Sequence, residues 1–226
     1  MEIINSEDMK RDTNFRMLFY AKPGTGKTST VRYLKGKTLL LDIDQTSQVL
    51  SSLSGIGVVK MDPKTPAQEL TDFYTYAKNN LKEYDNIVID NLTHYQKLWF
   101  IEKSKTTKSG QPELKDYGIF DNHLLNMVTA FNSLEINIVY TAWETTRQIQ
   151  LQDGQTFNQF LPDIRDKIVN HVMGIIPVVG RLVKKHDTNI RGFLLSENNG
   201  TFCKNQLDNR EYSLQEDIFK VGDVGE

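Results

Sequence analysis

Phe15-Arg-Met-Leu-Phe-Tyr20 leads without a break into Ala21-Lys-Pro-Gly-Thr-Gly-Lys-Thr28 and then Ser29-Thr30. The apolar run predicts a strand and the glycine-containing stretch a loop. From Thr28 to about Leu34 a short helix is expected, ending at Lys35-Gly-Lys37. Strand, loop and helix in this order form the context of a P-loop. There backbone N–H groups cradle phosphates, the lysine reaches the β/γ-phosphates and the Ser/Thr hydroxyl holds Mg2+. The phosphate-binding residues are then Pro23, Gly24, Thr25, Gly26, Lys27, Thr28 and Ser29. Ala21 stands where the pattern prefers Gly; it is the smallest residue with a Cβ, so the turn out of the strand can accept it. The alternative, a solvated Gly/Lys loop, does not account for the strand before it and the helix after it.

Two further apolar runs end in acids. Thr38-Leu-Leu-Leu-Asp-Ile-Asp44 reads as a strand buried on both faces of a parallel sheet, with Asp42 and Asp44 at its carboxyl end. Ligands in open α/β sheets bind at that edge, which places both acids on the side of the P-loop. Asn86-Ile-Val-Ile-Asp90 repeats the arrangement and matches the Walker B pattern, in which Asp90 orients the Mg2+ shell through water. Between them, Gly57–Met61 predicts a short strand. Thr65-Pro-Ala-Gln68 predicts a helix start with Thr65 as N-cap and Gln68 closing a capping box, the helix running to about Tyr84.

The rest of the chain divides by the same signals. Leu92 to Lys103 predicts a helix carrying Trp99 and Phe100 as core aromatics, and 103–112 a polar, basic loop. A second helix is expected over Tyr117–Leu134, and a strand over Ile136–Ala142, ending at Trp143-Glu144. Thr146–Phe160 alternates around Asp153-Gly154, a hairpin signal. A helix over Ile164–Met173, antiparallel strands over 177–184 and 190–195, and a short strand at 201–204 complete the reading. Residues 1–14 are expected as a loose arm, 15–207 as a single domain, and 208–226 as a charged tail.

Composition bounds the class. A chain of 226 residues can bury a substantial single core, and 38% hydrophobic with 25% charged residues describes a globular protein. A net charge of −2 supplies no bulk attraction to nucleic acid, so any such contact needs a local patch. One cysteine, Cys203, excludes an internal disulfide and reads as a small buried hydrophobe. No apolar run approaches the ~20 residues of a membrane span, and the acidic start is not a signal peptide, so a cytoplasmic location is expected. The four histidines show no metal-ligand spacing.

The order of these pieces resembles a RecA-type ATPase core: the P-loop, Leu41-Asp-Ile-Asp44, the capped helix, Asp90 followed by Asn91-Leu-Thr93, the basic loop, and the strand ending Thr141-Ala-Trp-Glu144. More narrowly, the chain is similar to small phage-encoded nucleotide-binding proteins built almost wholly from that core. Some of these act as RecA-like single-strand annealing proteins in phage recombination, beside a single-strand binding protein. The resemblance spans about residues 14–207, including Pro162–Lys167 and Cys203-Lys-Asn205. It implies an α/β fold with a mostly parallel central sheet flanked by helices, and antiparallel strands toward the C-terminus. It also implies ATP and Mg2+ as cofactors, self-association into a ring or filament, and single-stranded DNA as partner.

Carried onto this sequence, the resemblance puts Asp44 where the family has a Glu that positions the attacking water. Trp143 stands where the small phage proteins often have a γ-phosphate-sensing His, leaving Glu144 or Thr141 for that role. The catalytic set is then Lys27, Asp44, Asp90 and Glu144, with Asp42 as a lesser candidate beside Asp44. Arg181, Lys184, Lys185 and Arg165 are candidates for a cation supplied to a neighbouring subunit, and ordinary surface charge is the alternative for each. The loop 103–112 and the hairpin 145–160 occupy the positions of the family's DNA-binding loops. Lys103, Lys105, Lys108 and Arg147 are the phosphate-contact candidates there, with Phe157 or Phe160 for stacking. A solvated basic loop and a surface hairpin are the alternative. A nucleotide-gated interaction module, such as a helicase-loader-like partner with little turnover, is the rival functional class. A small-molecule kinase lacks an evident Arg-rich lid.

Overall fold

The computed structural model describes residues 13–150, 154–198 and 200–221, together with Asn5. The expected N-terminal arm falls largely outside the described residues, as do Asp153 of the hairpin turn and the last five residues.

In chain order the elements are β1 (Arg16–Ala21), α1 (Lys27–Thr30, continued by a 3-10 turn Val31–Tyr33), β2 (Thr38–Asp42), β3 (Ile56–Lys60), α2 (Pro66–Asn79), β4 (Asn86–Asp90), α3 (Leu92–Ser104), α4 (Leu114–Asn132), β5 (Asn137–Gln150), β6 (Thr156–Pro162), α5 (Asp166–Gly174), β7 (Val178–Lys184), β8 (Arg191–Leu194), β9 (Lys204–Asn205) and β10 (Tyr212–Leu214). They form an α/β fold around one sheet of order β10-β8-β7-β1-β5-β4-β2-β3. The six strands from β7 to β3 are parallel; β8, β9 and β10 add antiparallel pairings at the C-terminal side.

The apolar runs explain the sheet. All six residues of β1 and all five of β2 and β4 are buried, because both sheet faces are covered. Successive β1 side chains serve opposite cores. Leu18 and Tyr20 join α2, α3, α4 and α5, whereas Met17, Phe19 and Ala21 pack with Val31, Leu50, Phe193 and Ile218 on the other face. The second face is thus closed by the P-loop helix and by the C-terminal segment. Residues after 207, expected as a charged tail, instead pair through β10 with β8 and bury Ser213, Gln215 and Ile218. Short apolar residues among charges carry too weak a periodicity to announce this.

Other expectations are corrected locally. Thr65 makes no side-chain cap, and the Gln68 amide donates to Asp72 instead, so the expected capping box is not formed. A reciprocal box does start α4, three residues before the expected helix, from Glu113 and Asp116. The strand ending at Glu144 does not stop there: β5 continues through Gln150 to pair with β6, from Glu144↔Pro162 to Gln150↔Thr156. Lys103 and Ser104 belong to α3, so the basic loop begins at Lys105. No helix among the described residues is long and apolar enough to cross a membrane.

Candidate functional site

The register brings the carboxyl ends of β1, β5, β4 and β2 to one edge: Ala21 lies beside Trp143 and Asp42 beside Asp90. Parallel strands all point their carboxyl ends this way, so residues distant in sequence meet here. A cavity of about 350 Å3 opens there, lined by Pro23, Gly24, Gly26, Lys27, Thr28, Ser29, Asp44, Thr46, Val49, Asp90 and Trp143.

The loop between β1 and α1 turns through two glycines with positive φ, Gly24 at 78° and Gly26 at 111°, which an L side chain would strain. Lys27 Nζ donates to the carbonyl oxygens of Ala21 (3.1 Å) and Lys22 (3.3 Å), folding its ammonium back over the loop. Burial pulls the Lys27 pKa below the usual lysine value, opposed by the charges of Asp90, Asp44 and Glu144.

Asp90 is the best-held acid. Thr28 Oγ1 donates to Asp90 Oδ2 at 2.5 Å, and the Thr141 hydroxyl donates to Oδ1. Burial raises its pKa from 3.8 to about 6; the Asp44 charge adds to the rise, and the two hydroxyls and Lys27 oppose it. A hydroxyl and a buried carboxylate meeting under a lysine form the hard-oxygen donor set that Mg2+ takes. Thr28 and Asp90 therefore fit the ion. Asp44 lies across the cavity just past β2; its Oδ1 accepts from Thr46 Oγ1 (2.7 Å) and its Oδ2 from Asn91 Nδ2 (2.5 Å). Asp42 is fully buried and does not line the cavity: its carboxylate accepts the backbone N–H groups of Thr46 and Ser47 and closes the loop after β2.

Glu144 and Arg181 pair with each other. Arg181 Nε donates to Glu144 Oε2 at 3.0 Å, with side-chain exposures of 15% and 6% for Arg181 and Glu144. The Arg181 guanidinium also lies 3.5 Å from the Phe160 ring centroid and donates to Thr201 Oγ1. Arg181 is thus engaged inside its own chain rather than offered to a neighbour, and the Phe160 face expected to stack a base is covered. The cause is the pairing of β7 with β1 and of β1 with β5, which sets Arg181 beside Tyr20 and brings Glu144 within reach. Arg165 is likewise engaged, paired with Asp121 at 2.7 Å and stacked 4.7 Å from the Tyr117 ring. Lys184 and Lys185 remain exposed where β7 ends. Thr141, an alternative sensor, is occupied in holding Asp90. Trp143 forms a cavity wall with Lys97 Nζ 4.2 Å from its ring centroid.

The nucleic-acid candidates lie on separate elements. Lys105 and Lys108 are exposed on the turn between α3 and α4, and Lys103 Nζ sits 5.0 Å from the Trp99 ring centroid. Arg147, on the β5–β6 hairpin, donates across the ladder to Gln159 Oε1 at 3.0 Å. Phe157 is half-buried on the same hairpin.

Sequence reading missed several contributors. Asn91 caps α3 by accepting from the His94 N–H while it donates to Asp44. Arg191 and Gln215 reach the P-loop backbone from β8 and from the turn after β10. The Asn following a Walker B acid was a visible signal; the other two had none. A second cavity, about 320 Å3, lies beside them, lined by Tyr33, Asn189, Ile190, Arg191, Leu214, Gln215 and Glu216.

No curated protein matches the chain. A family model described as an AAA domain matches residues 13–207, which take in the P-loop, Asp44, Asp90, Glu144 and Arg191. With phosphate loop, buried Walker B acid and parallel sheet in one arrangement, the chain belongs to this AAA-domain family of P-loop nucleotide-binding proteins.

Proposed function

We propose that the protein binds and hydrolyses ATP with Mg2+, self-associates, and acts on single-stranded DNA in phage recombination or replication as a strand-annealing protein, beside a single-strand binding protein. The observation that carries the ATPase reading is the contact of Thr28 with Asp90 beneath Lys27, facing Asp44 across one cavity. Phosphoryl transfer asks a protein mainly to position groups and to neutralise charge. Lys27 would leave the Ala21 and Lys22 carbonyls to meet the β/γ-phosphates. Thr28, and Asp90 through water, would hold Mg2+, which would supply the remaining positive charge. Asp44 would orient the water that attacks the γ-phosphorus and take its proton as ADP leaves.

Self-association rests on Lys184 and Lys185, exposed cations near the nucleotide edge that a neighbour's site could use. The DNA reading rests on the resemblance in motif order and on the exposed Lys105 and Lys108. Its test is ATP turnover with and without single-stranded DNA, with assembly size measured in both states; DNA-stimulated turnover is expected. One observation favours the rival module with little turnover: both Asp44 oxygens already accept hydrogen bonds, from Thr46 and Asn91, which competes with binding a water. Nucleotide binding without turnover, with or without DNA, would select that module.

A further inference from the structure

We propose that Arg191 and Gln215 are positioning residues that hold the phosphate-binding loop in its anion-binding shape from the side opposite the phosphates. A trans peptide is planar, with its C=O and the following N–H pointing in opposite directions. A loop that turns its N–H groups inward on an anion therefore turns its carbonyls outward. Fixing the Thr25 carbonyl aims the Gly26 N–H, and fixing the Gly26 carbonyl aims the Lys27 N–H.

Both of these carbonyls are held by side chains from the C-terminal segments. Arg191 Nε donates to Thr25 O at 2.8 Å, and Gln215 Nε2 donates to Gly26 O at 2.9 Å. Gln215 Nε2 also donates to Thr30 Oγ1 at 2.9 Å, and that hydroxyl in turn donates to Gly26 O at 3.1 Å, tying the loop to the first turn of α1. Gln215 is buried, so the amide is shielded from competing water. The fit is close: a Cβ on Gly26 would stand 3.2 Å from Arg191 Nε and 3.4 Å from Gln215 Nε2. Both donors come from segments beyond β7, so loop geometry depends on docking of β8 and of the turn after β10. This assigns the segment around Gln215, outside the family match, a part in binding.

The inference rests on the nucleotide-binding reading above. Its test compares Gln215→Met, which keeps the length and removes the donor without adding a charge, Arg191→Met, which keeps the stem, and Arg191→Lys, which restores a donor. Mg-ATP affinity, the KM and kcat of turnover, and the melting temperature of the nucleotide-free protein are measured on the full chain. The expected result is about tenfold weaker binding for Gln215→Met and Arg191→Met, the scale of losing one neutral or charge-assisted hydrogen bond. KM should rise more than kcat falls, melting should be nearly unchanged, and Arg191→Lys should recover most of the affinity. Unchanged affinity in both variants, while Lys27→Ala abolishes binding, overturns the inference and leaves the nucleotide reading standing. A loss that follows melting temperature, with Arg191→Lys no better than Arg191→Met, overturns it too. A wild-type chain that binds no nucleotide overturns both.

Discussion

Thr28 Oγ1 lies 2.5 Å from Asp90 Oδ2, joining two residues 62 positions apart at the centre of the nucleotide edge. Because β4 and β1 are parallel and separated only by β5, the first residue able to carry a metal and the acid able to orient it must meet there.

Asp90 makes the nucleotide-free protein sensitive to pH. Its pKa is higher in the folded chain (about 6) than its ordinary value of 3.8, so folding favours the protonated form. The associated stability is present below the ordinary value and is lost as pH rises through about 6. The displacement corresponds to roughly 3 kcal/mol. With divalent cations chelated, denaturant unfolding should show this contribution decline between pH 4 and pH 7, and Asp90→Asn should remove it. A wild-type and Asp90→Asn pair with parallel pH profiles would contradict this.

Breaking the Glu144–Arg181 pair leaves a nearly buried carboxylate without its partner. Arg181→Met should destabilise the protein by about 3 kcal/mol, within the range for a buried pair cut on one side. The double variant Glu144→Gln with Arg181→Met should recover much of that loss, since no charge is left uncompensated. Chemical unfolding of the three proteins measures it; equal losses in single and double variants would show that the ion pair is not the cause.

Asp44→Asn should lower ATP turnover by at least ~100-fold, the usual scale for removing a general base, while Mg-ATP affinity stays within a few-fold. Asp44→Glu, one methylene longer, should keep measurable turnover. Single-turnover kinetics with a parallel binding titration separate the two effects. An Asp44→Asn protein of wild-type rate would take Asp44 out of the reaction.

If the α3–α4 turn meets DNA phosphates, Lys105→Ala with Lys108→Ala should weaken single-strand binding at low salt. The slope of log affinity against log salt should flatten by ~1.4, at ~0.7 for each phosphate no longer neutralised. Fluorescence anisotropy across a salt series gives the slope; an identical slope in the double variant would remove this turn from the interface.

The legible parts of the site share a cause. Gly24, Gly26, Lys27 and Thr28 are placed by local backbone geometry, and Asp44 and Asp90 follow apolar runs that read as buried parallel strands, so a linear reading reaches their position at one cavity. The pairing of Arg181 with Glu144 depends on strand order, and the reach of Gln215 to Gly26 spans 189 positions, so no local pattern announces either. Asp42 shows the opposite failure: it has the right neighbours in sequence, yet it is fully buried outside the cavity lining, with its carboxylate held by the Thr46 and Ser47 amides. At the helix starts, Thr65 has a capping residue's chemistry without the geometry, whereas Glu113 and Asp116 achieve it with acids. Caps are settled by the path of the incoming chain, which sequence spacing does not encode.

The ATPase reading of this edge depends on the Ala21–Thr28 loop binding a nucleoside triphosphate for hydrolysis. Steady-state Mg-ATP hydrolysis by the wild-type chain and by Lys27→Ala puts that to the test. Measurable turnover is expected in the wild type, with a loss of at least ~100-fold in the variant, as follows from removing a charge that meets the transferring phosphoryl group. Turnover in Lys27→Ala equal to the wild type would contradict it.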